Sequence, residues 1–385
     1  MKKSYYLVMA ISLLLGLSTV AQDTLQTLPE ANNPMWGIKK LMMTGGAETQ
    51  FVADSGQMGF KNAKFHIAPL VSLGDKLFLI SEIEIETRDG VADFGLEQVH
   101  LNYQILPNLT VYAGRFLPKF GHYRGMMGEG YLNRFSTDPV GFGDGGIGPM
   151  VENGVGIVGG LQLGYSKLNY DFYMSDGPQL LAEDATMAGN FEYEGFLNNN
   201  KNMAFGGRVG LLPFSNSCLE LGVSLLHKSK TGDINTPFNK IGANWMAYDL
   251  NFYHNIPALK SIVRVYGEYK TMSVDKATYP FDEGGSFSTN KSSAWYIQGG
   301  LRPNGFTSQF VDNLEVSARY SSFTTPENAP WGNAVTYSDL SLGNTIHQMA
   351  YSLNYWLAWD CILKFSYQTQ NYSANQFVFQ AIYRF

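Results

Sequence analysis

The chain contains 385 residues, of which 45% are hydrophobic, 14% aromatic and 16% charged, and its mean hydropathy is -0.13. This mean hydropathy is too low for a bundle of membrane-crossing helices, and no segment after residue 21 supplies the ~20 apolar residues that such a helix needs. The formal net charge of -6 and the lack of a basic run argue against nucleic acid as a partner. The 41 glycines and 23 tyrosines suit a β-rich protein instead.

The N-terminus has the three parts of a secretory signal peptide. Lys2 and Lys3 form the positive start, an apolar run follows up to Leu17, and small residues lead to a cleavage site after Ala21. We therefore expect export. The predicted division of the chain is a signal peptide over 1–21, a polar periplasmic lead-in over 22–35, and one β-barrel over 36–385.

The two cysteines, Cys218 and Cys361, are isolated in the sequence. They have neither a disulfide framework nor the spacing of metal ligands, so we expect both to be unpaired. No metal or other cofactor is expected.

From residue 36 onward, apolar and polar residues alternate in short runs, which is the pattern of strands with one apolar face. In the run 314–321, for example, one face carries Leu314, Val316, Ala318 and Tyr320, and the other carries Glu315, Ser317, Arg319 and Ser321. About sixteen such strands are predicted. Short connections are expected near residues 72, 107, 165, 214, 257, 306 and 359, and longer ones near 55, 90, 134, 190, 236, 282, 333 and 373.

An even number of strands with apolar outer faces predicts an all-β fold, a closed antiparallel transmembrane barrel of about 16 strands with a long third external loop. A soluble propeller would repeat every ~40–50 residues, and no such repeat is found. Sixteen strands enclose an aqueous lumen, so the predicted fold implies a pore.

The last strand ends on alternating aromatic residues, at Phe377, Phe379, Tyr383 and Phe385. It resembles the closing strand of bacterial outer-membrane barrels. In that resemblance Phe385 and Tyr383 form a C-terminal assembly signal, which implies the barrel-assembly machinery and outer-membrane lipid as partners.

The longest connection, from Pro118 to about Met150, follows the stretch Ala113–Gly121. This stretch is similar to the Gly-basic-Phe-x-x-Pro-Phe-Gly motif of the phosphate-selective porin O/P family, and Gly154–Ile157 resembles that family's entry into strand six. In general porins the corresponding loop folds into the lumen. The resemblance implies a homotrimeric, non-enzymatic channel for small solutes or anions such as phosphate.

Basic residues are the candidates for a pore constriction and anion path. They are Arg115, Lys119, Arg124 and Arg134 at the third loop, and the inward-facing Arg208, Arg264, Arg319 and Lys364. Many inward residues are acidic, however, which favours ordinary lumen charges and a porin of unspecified small solutes. The opposing acids are Glu82, Glu84, Glu86 and Glu315, with Asp171, Asp249 and Glu268.

Three other functions stay open at this point. Inward aromatic residues could stack on sugars in a sugar channel; they are Tyr173, Trp245, Tyr253, Tyr266, Tyr296 and Trp356. A structural or adhesive barrel would act through its external loops. A barrel hydrolase is disfavoured, because the six histidines are scattered and no serine or aspartate lies at a spacing from them that indicates a catalytic arrangement.

Overall fold

The structure is a computed structural model that describes residues 38–56, 58–88, 91–127, 130–143, 146–182, 188–195, 198–279, 286–287, 290–325 and 345–385. The predicted signal peptide and lead-in lie outside these ranges, as do Glu129 and Asp144 of the third loop.

The predicted barrel is confirmed: sixteen strands form one closed antiparallel sheet. In chain order they are β1 (Lys40–Ala53), β2 (Met58–Ser72), β3 (Leu77–Arg88), β4 (Val91–Leu106), β5 (Leu109–Phe116), β6 (Glu152–Leu163), β7 (Ser166–Ser175), β10 (Ala204–Leu212), β11 (Leu219–Lys228), β12 (Ala243–Ile256), β13 (Ser261–Val274), β16 (Asn290–Pro303), β17 (Leu314–Thr324), β18 (Thr345–Ala358), β19 (Cys361–Gln370) and β20 (Ser373–Arg384). Two hairpins lie within the connections and stay outside the barrel sheet, β8 (Gln179–Leu181) with β9 (Asn190–Glu192), and β14 (Ala277–Thr278) with β15 (Ser286–Phe287).

Side chains along the wall strands β17–β19 alternate between outward and inward positions, as the sequence predicts. In β17, Val316 points outward and is 51% exposed, whereas its neighbours Glu315 and Ser317 point inward and are buried. Tyr351 in β18 and Phe365 in β19 repeat the outward pattern. Along the middle of these three strands the outer face is therefore apolar and the inner face is polar.

The predicted alternation of short and longer connections is wrong at three places. Only short connections, residues 54–57, 89–90 and 371–372, separate β1 from β2, β3 from β4, and β19 from β20. The alternation in the sequence predicts a strand from Gln98 to Ile105, and this start is too late, because β4 begins at Val91. A bulge beside Glu82 and Ile83 shifts the pairing of β3 and β4 and interrupts the alternation in β4.

The barrel closes through antiparallel pairing of β1 with β20. Gly45 and Phe385 exchange two backbone hydrogen bonds of 3.1 Å each at this seam. Closure leaves no unpaired edge in the sheet. We call the end of the barrel that carries residues 117–151 the long-loop end, and the opposite end the short-turn end.

The lumen is partly filled with protein. An apolar cluster occupies the side of the lumen that β5, β7 and β10–β18 enclose, toward the long-loop end. The third loop supplies Tyr123 and Phe142 to it, whose rings contact Tyr296 of the wall at centroid distances of 5.5 and 4.8 Å. The β8–β9 hairpin supplies Phe191, which meets Trp245 at 5.0 Å. Toward the long-loop end, an open cavity remains beside β1–β4 and β20.

The start of the connection between β7 and β10 is held in the lumen by a buried lysine. Lys228 Nζ donates hydrogen bonds to the carbonyls of Asp176, Gly177 and Pro178 at 2.6, 3.3 and 3.0 Å. Among the described residues, no helix has both the length and the apolar character needed to cross a bilayer.

Candidate functional site

The third loop, residues 117–151, crosses the lumen and is anchored to both walls. At its start, Gly121 N donates to Ser224 Oγ at 3.0 Å, and the backbone N–H groups of His122 and Tyr123 both donate to Glu268 Oε2 at 2.8 Å. Farther along, Ser136 N donates to Ser366 Oγ at 3.2 Å. The loop therefore reaches from β11 and β13 to β19.

The structure brings two of the predicted cations together on one buried acid. Glu315 Oε1 accepts from Arg134 Nε of the loop at 3.1 Å and from Arg264 of β13. Trp356 Nε1 donates to the other oxygen of Glu315 at 3.3 Å. Glu315 is fully buried, and its single negative charge is shared between the two arginines.

Two further predicted cations also bind the loop. Arg319 donates to Thr137 O at 2.8 Å, and its guanidinium lies 4.5 Å from the ring centroid of Phe135. Lys364 donates to the carbonyl of Gly130. Both side chains are buried between the wall and the loop.

Arg208 and Arg115 hold other parts of the wall. Arg208 makes a two-point contact with Asp249, at 2.9 and 2.6 Å, and a third bond of 2.9 Å to Glu220. Arg115 donates to Leu96 O at 2.9 Å and to Glu194 O at 3.3 Å. The predicted role of these cations as an anion path stays a prediction.

The two remaining predicted cations line cavities. Lys119 is exposed, and it lines a cavity of about 610 Å³ near the short-turn end, together with His122, Asp171 and Glu220. Arg124 lines a second cavity, of about 470 Å³, nearer the long-loop end, and its guanidinium lies 3.6 Å from Glu97. The start of the third loop separates these two cavities.

The second cavity, which we call the acidic cavity, is lined by seven carboxylates and only two basic side chains. The acids are Glu48, Glu84, Glu86, Asp93, Glu97, Asp138 and Glu194, and the bases are Lys64 and Arg124. Lys64 lies 2.6 Å from Glu84. The walls come from β1–β4 and β20 on one side and from the third loop on the other.

Sequence reasoning found Glu84 and Glu86 on the wall but missed most of this set. Glu48 alternates with Gln50 in β1, so its inward position could have been found from the pattern. Glu97 is the residue left unpaired at the bulge of β4, Asp93 lies beyond that bulge, and Glu194 comes from a connection without periodicity. Glu82, another of the predicted acids on this wall, accepts a hydrogen bond from Gln98 Nε2 at 2.8 Å.

Five of the six aromatic residues suggested for sugar stacking divide into two groups, and the sixth, Trp356, donates to Glu315 as described above. Tyr173, Trp245 and Tyr296 are buried in the apolar cluster and do not face open space. Tyr253 instead lies under the Arg264 guanidinium at 5.2 Å, and Tyr266 stacks on His122 with ring centroids 5.9 Å apart.

Burial changes the titration of the loop residues at the divide between the cavities. Burial lowers the pKa of His122 from its ordinary value of 6.5, which favours the neutral form of the ring. Burial, and then the nearby Asp138, raise the pKa of Tyr123 well above its ordinary value. Among the described side chains, no three His, Cys, Asp or Glu residues lie close enough to hold a metal ion.

No protein-family model matches the sequence, and a search of curated proteins finds no relative. Solved structures do match over nearly the whole chain. OmpT, an outer membrane protein of Vibrio cholerae in its trimer form, is 12% identical with a TM-score of 0.54, covering 90% of this chain and 99% of that chain. An anion-selective porin from Comamonas acidovorans is 13% identical with a TM-score of 0.51, covering 90% and 99%. OprB of Pseudomonas putida is 10% identical with a TM-score of 0.55, covering 90% and 94%. These likenesses show that the chain shares the barrel fold of solved outer-membrane porins.

Proposed function

We propose that this protein is a channel in the bacterial outer membrane that passes small hydrophilic solutes by diffusion, without covalent chemistry. The observation that carries the proposal is a closed barrel that is apolar outside and contains polar cavities on both sides of an inward-folded loop. The apolar outer surface supports insertion in lipid, because hydrocarbon requires a spanning sheet without free edges. Export through the periplasm rests on the predicted signal peptide.

Selection would occur where the third loop divides the lumen. A solute that crosses the barrel would pass from the acidic cavity, beside Arg124 and Glu97, to the cavity that Lys119 and His122 line. The apolar cluster closes much of the remaining cross-section, so size exclusion acts on a narrow route. The excess of carboxylates in the acidic cavity weights this route toward cations.

Phosphate or another anion is the second candidate, favoured by one observation. Lys119 is an exposed cation in the cavity at the short-turn end, and it lies in the stretch that resembles the phosphate-selective family. Against this candidate, Arg208, Arg264 and Arg134 are already bound to carboxylates. We therefore weight the proposal toward a general channel.

A homotrimer is part of the proposal. Its support is the trimer form of OmpT, whose barrel this chain resembles. Chemical cross-linking of protein extracted in mild detergent tests it, and a single species at the mass of one chain would contradict it.

Planar-bilayer recording of the purified, refolded protein tests the channel itself. We expect stepwise openings, and a reversal potential in a KCl gradient that shows modest cation preference. Phosphate block together with anion preference would support the second candidate and point to Lys119. Folded protein that gives no openings would contradict the channel.

A further inference from the structure

The acidic cavity has properties beyond those of a passage for solutes. We infer that it is a binding site for organic cations rich in N–H donors, such as guanidinium and primary ammonium compounds. This inference rests on the proposed channel function and names a class of solute for it. It is drawn from the charges that line the cavity, from two buried acceptors and from the size of the cavity.

The charge of the lining is strongly one-sided, with seven carboxylates against Lys64 and Arg124. Each of these two cations already lies beside an acid of the same cavity, Glu84 at 2.6 Å and Glu97 at 3.6 Å. Low-dielectric walls concentrate the field of such a lining within the cavity. A cation therefore gains from entering, and an anion is repelled.

Two amide oxygens in the lining mark positions for donors. Gln380 is only 2% exposed, and its Oε1 finds no hydrogen-bond donor among the described residues. Asn62 Oδ1 is likewise buried without a donor. The orientation of the Asn62 amide is fixed because its Nδ2 donates to Glu86 at 3.0 Å. Buried acceptors without donors cost free energy, and a ligand that donates to them recovers it.

The ligand that fits these features carries positive charge and several N–H donors. A guanidinium has five donors in a planar fork, and an ammonium has three. The cavity volume of about 470 Å³ lies within the range of about 300–1,000 Å³ for small-molecule sites. It accommodates an organic cation with an aliphatic stem as well as its charged head.

Calorimetric titration of the full-length protein, folded in detergent, tests the site without requiring conductance. The probe is agmatine, which has a guanidinium at one end and an ammonium at the other. The matched compound is 4-guanidinobutanoate, which keeps the guanidinium and replaces the ammonium by a carboxylate. We expect agmatine to bind at least tenfold more tightly, since each lost charge contact is worth about that factor.

Glu86→Gln tests whether agmatine binds in this cavity. The substitution removes one charge and keeps an acceptor for Asn62 Nδ2, so the wall keeps its hydrogen bond. We expect agmatine affinity to fall roughly fivefold. The control is Asp75→Asn at the short-turn end, where the Asp75 side chain is 87% exposed and pairs with Lys39. It removes the same charge and should leave affinity unchanged.

Gln380→Met tests the acceptor separately from the charge. Methionine has a similar length and no amide oxygen, so agmatine affinity should fall about threefold or more. Thermal stability should not fall, because the wild-type Oε1 has no donor to lose. A purely structural role for Gln380 would give the reverse result.

Equal affinity for agmatine and 4-guanidinobutanoate would overturn the inference, as would agmatine binding that neither Glu86→Gln nor Gln380→Met weakens. No detectable agmatine binding by a protein that conducts would also overturn it, while leaving the channel intact. Binding that both substitutions weaken, in a protein without openings, would support the site and contradict the channel.

Discussion

At the scale of single residues, one carboxylate fixes the start of the third loop. Glu268 accepts two backbone N–H groups of the loop, from His122 and Tyr123. Gly121 precedes them with a φ of +70°, and a Cβ at that position would lie 1.9 Å from Glu268 Oε1. The loop can approach the carboxylate this closely because residue 121 has no side chain.

Gly121→Ala should therefore destabilise the protein more than its backbone conformation alone explains. Alanine at a left-handed φ costs about 1 kcal/mol, and the forced contact adds about 1–3 kcal/mol. The control is Gly164→Ala, where φ is +63° and a Cβ would have no neighbour within 4 Å. Urea unfolding monitored by heat-modified mobility on gels measures both. Equal losses in the two variants would contradict the close contact.

The sequence predicts which way these residues point but not what they bind. Parity alone places Arg319 and Lys364 inside the barrel, and the structure agrees. Their partners in the third loop, Thr137 and Gly130, are 182 and 234 residues away along the chain. Alternation along a strand carries no information about such distant contacts, so most of the site could not be predicted.

At the scale of elements, strands and loop are connected through a buried charge cluster. Glu315 of β17 holds Arg264 of β13 and Arg134 of the third loop. Removing one member of a buried cluster leaves the other charges without compensation, which costs about 3–5 kcal/mol. Glu315 is therefore one of the wall residues that dock the third loop, through its contact with Arg134.

Glu315→Gln should loosen the middle of the third loop as well as lower stability. We expect trypsin to cut the folded barrel after Arg134 in this variant and not in wild type. The control is Glu220→Gln, which also removes a carboxylate that binds an arginine. In this variant Arg208 keeps both bonds to Asp249, and Arg208, unlike Arg134, is a residue of the wall and not of the third loop. A protected loop in Glu315→Gln would show that the other anchors suffice.

Strand prediction worked where the alternation is regular and failed where it is interrupted. The alternation predicts a strand over Ala204–Leu212, and these are the bounds of β10 in the structure. A register shift between Gln50 and Phe51 interrupts the pairing of β1 with β2. The alternation predicts these strands over Trp36 to about Gln50 and Phe60–Leu70, whereas they span Lys40–Ala53 and Met58–Ser72. The bulge opposite Glu82 and Ile83 had the larger consequence, because it concealed the strand segment that carries Asp93 and Glu97.

At the scale of the whole molecule, the seam between the first and last strands closes the barrel. The ring of Phe385 stacks on Phe65 with centroids 6.1 Å apart, and it fills the space that a side chain at Gly45 would need. The backbone bonds between Gly45 and Phe385 do not depend on that ring. Stability and assembly can therefore be separated at this residue.

Phe385→Ala should lower the stability of the refolded barrel by only about 1–2 kcal/mol, since a partly exposed ring is lost. Its yield in cells should fall much more if Phe385 and Tyr383 form the expected assembly signal. Phe385→Tyr keeps an aromatic ring and should retain both. The folded fraction, measured after refolding in detergent and in isolated membranes, gives the two values. A normal yield of Phe385→Ala in membranes would contradict the role of Phe385 as an assembly signal.

The position of the third loop also imposes an order of events in time. Its anchors on β13 and β19 are 146 and 230 residues away from their loop partners along the chain. Contacts of such long range form slowly, because a large loop of chain must close first. We therefore expect the third loop to dock only after β13 and β19 have joined the barrel wall.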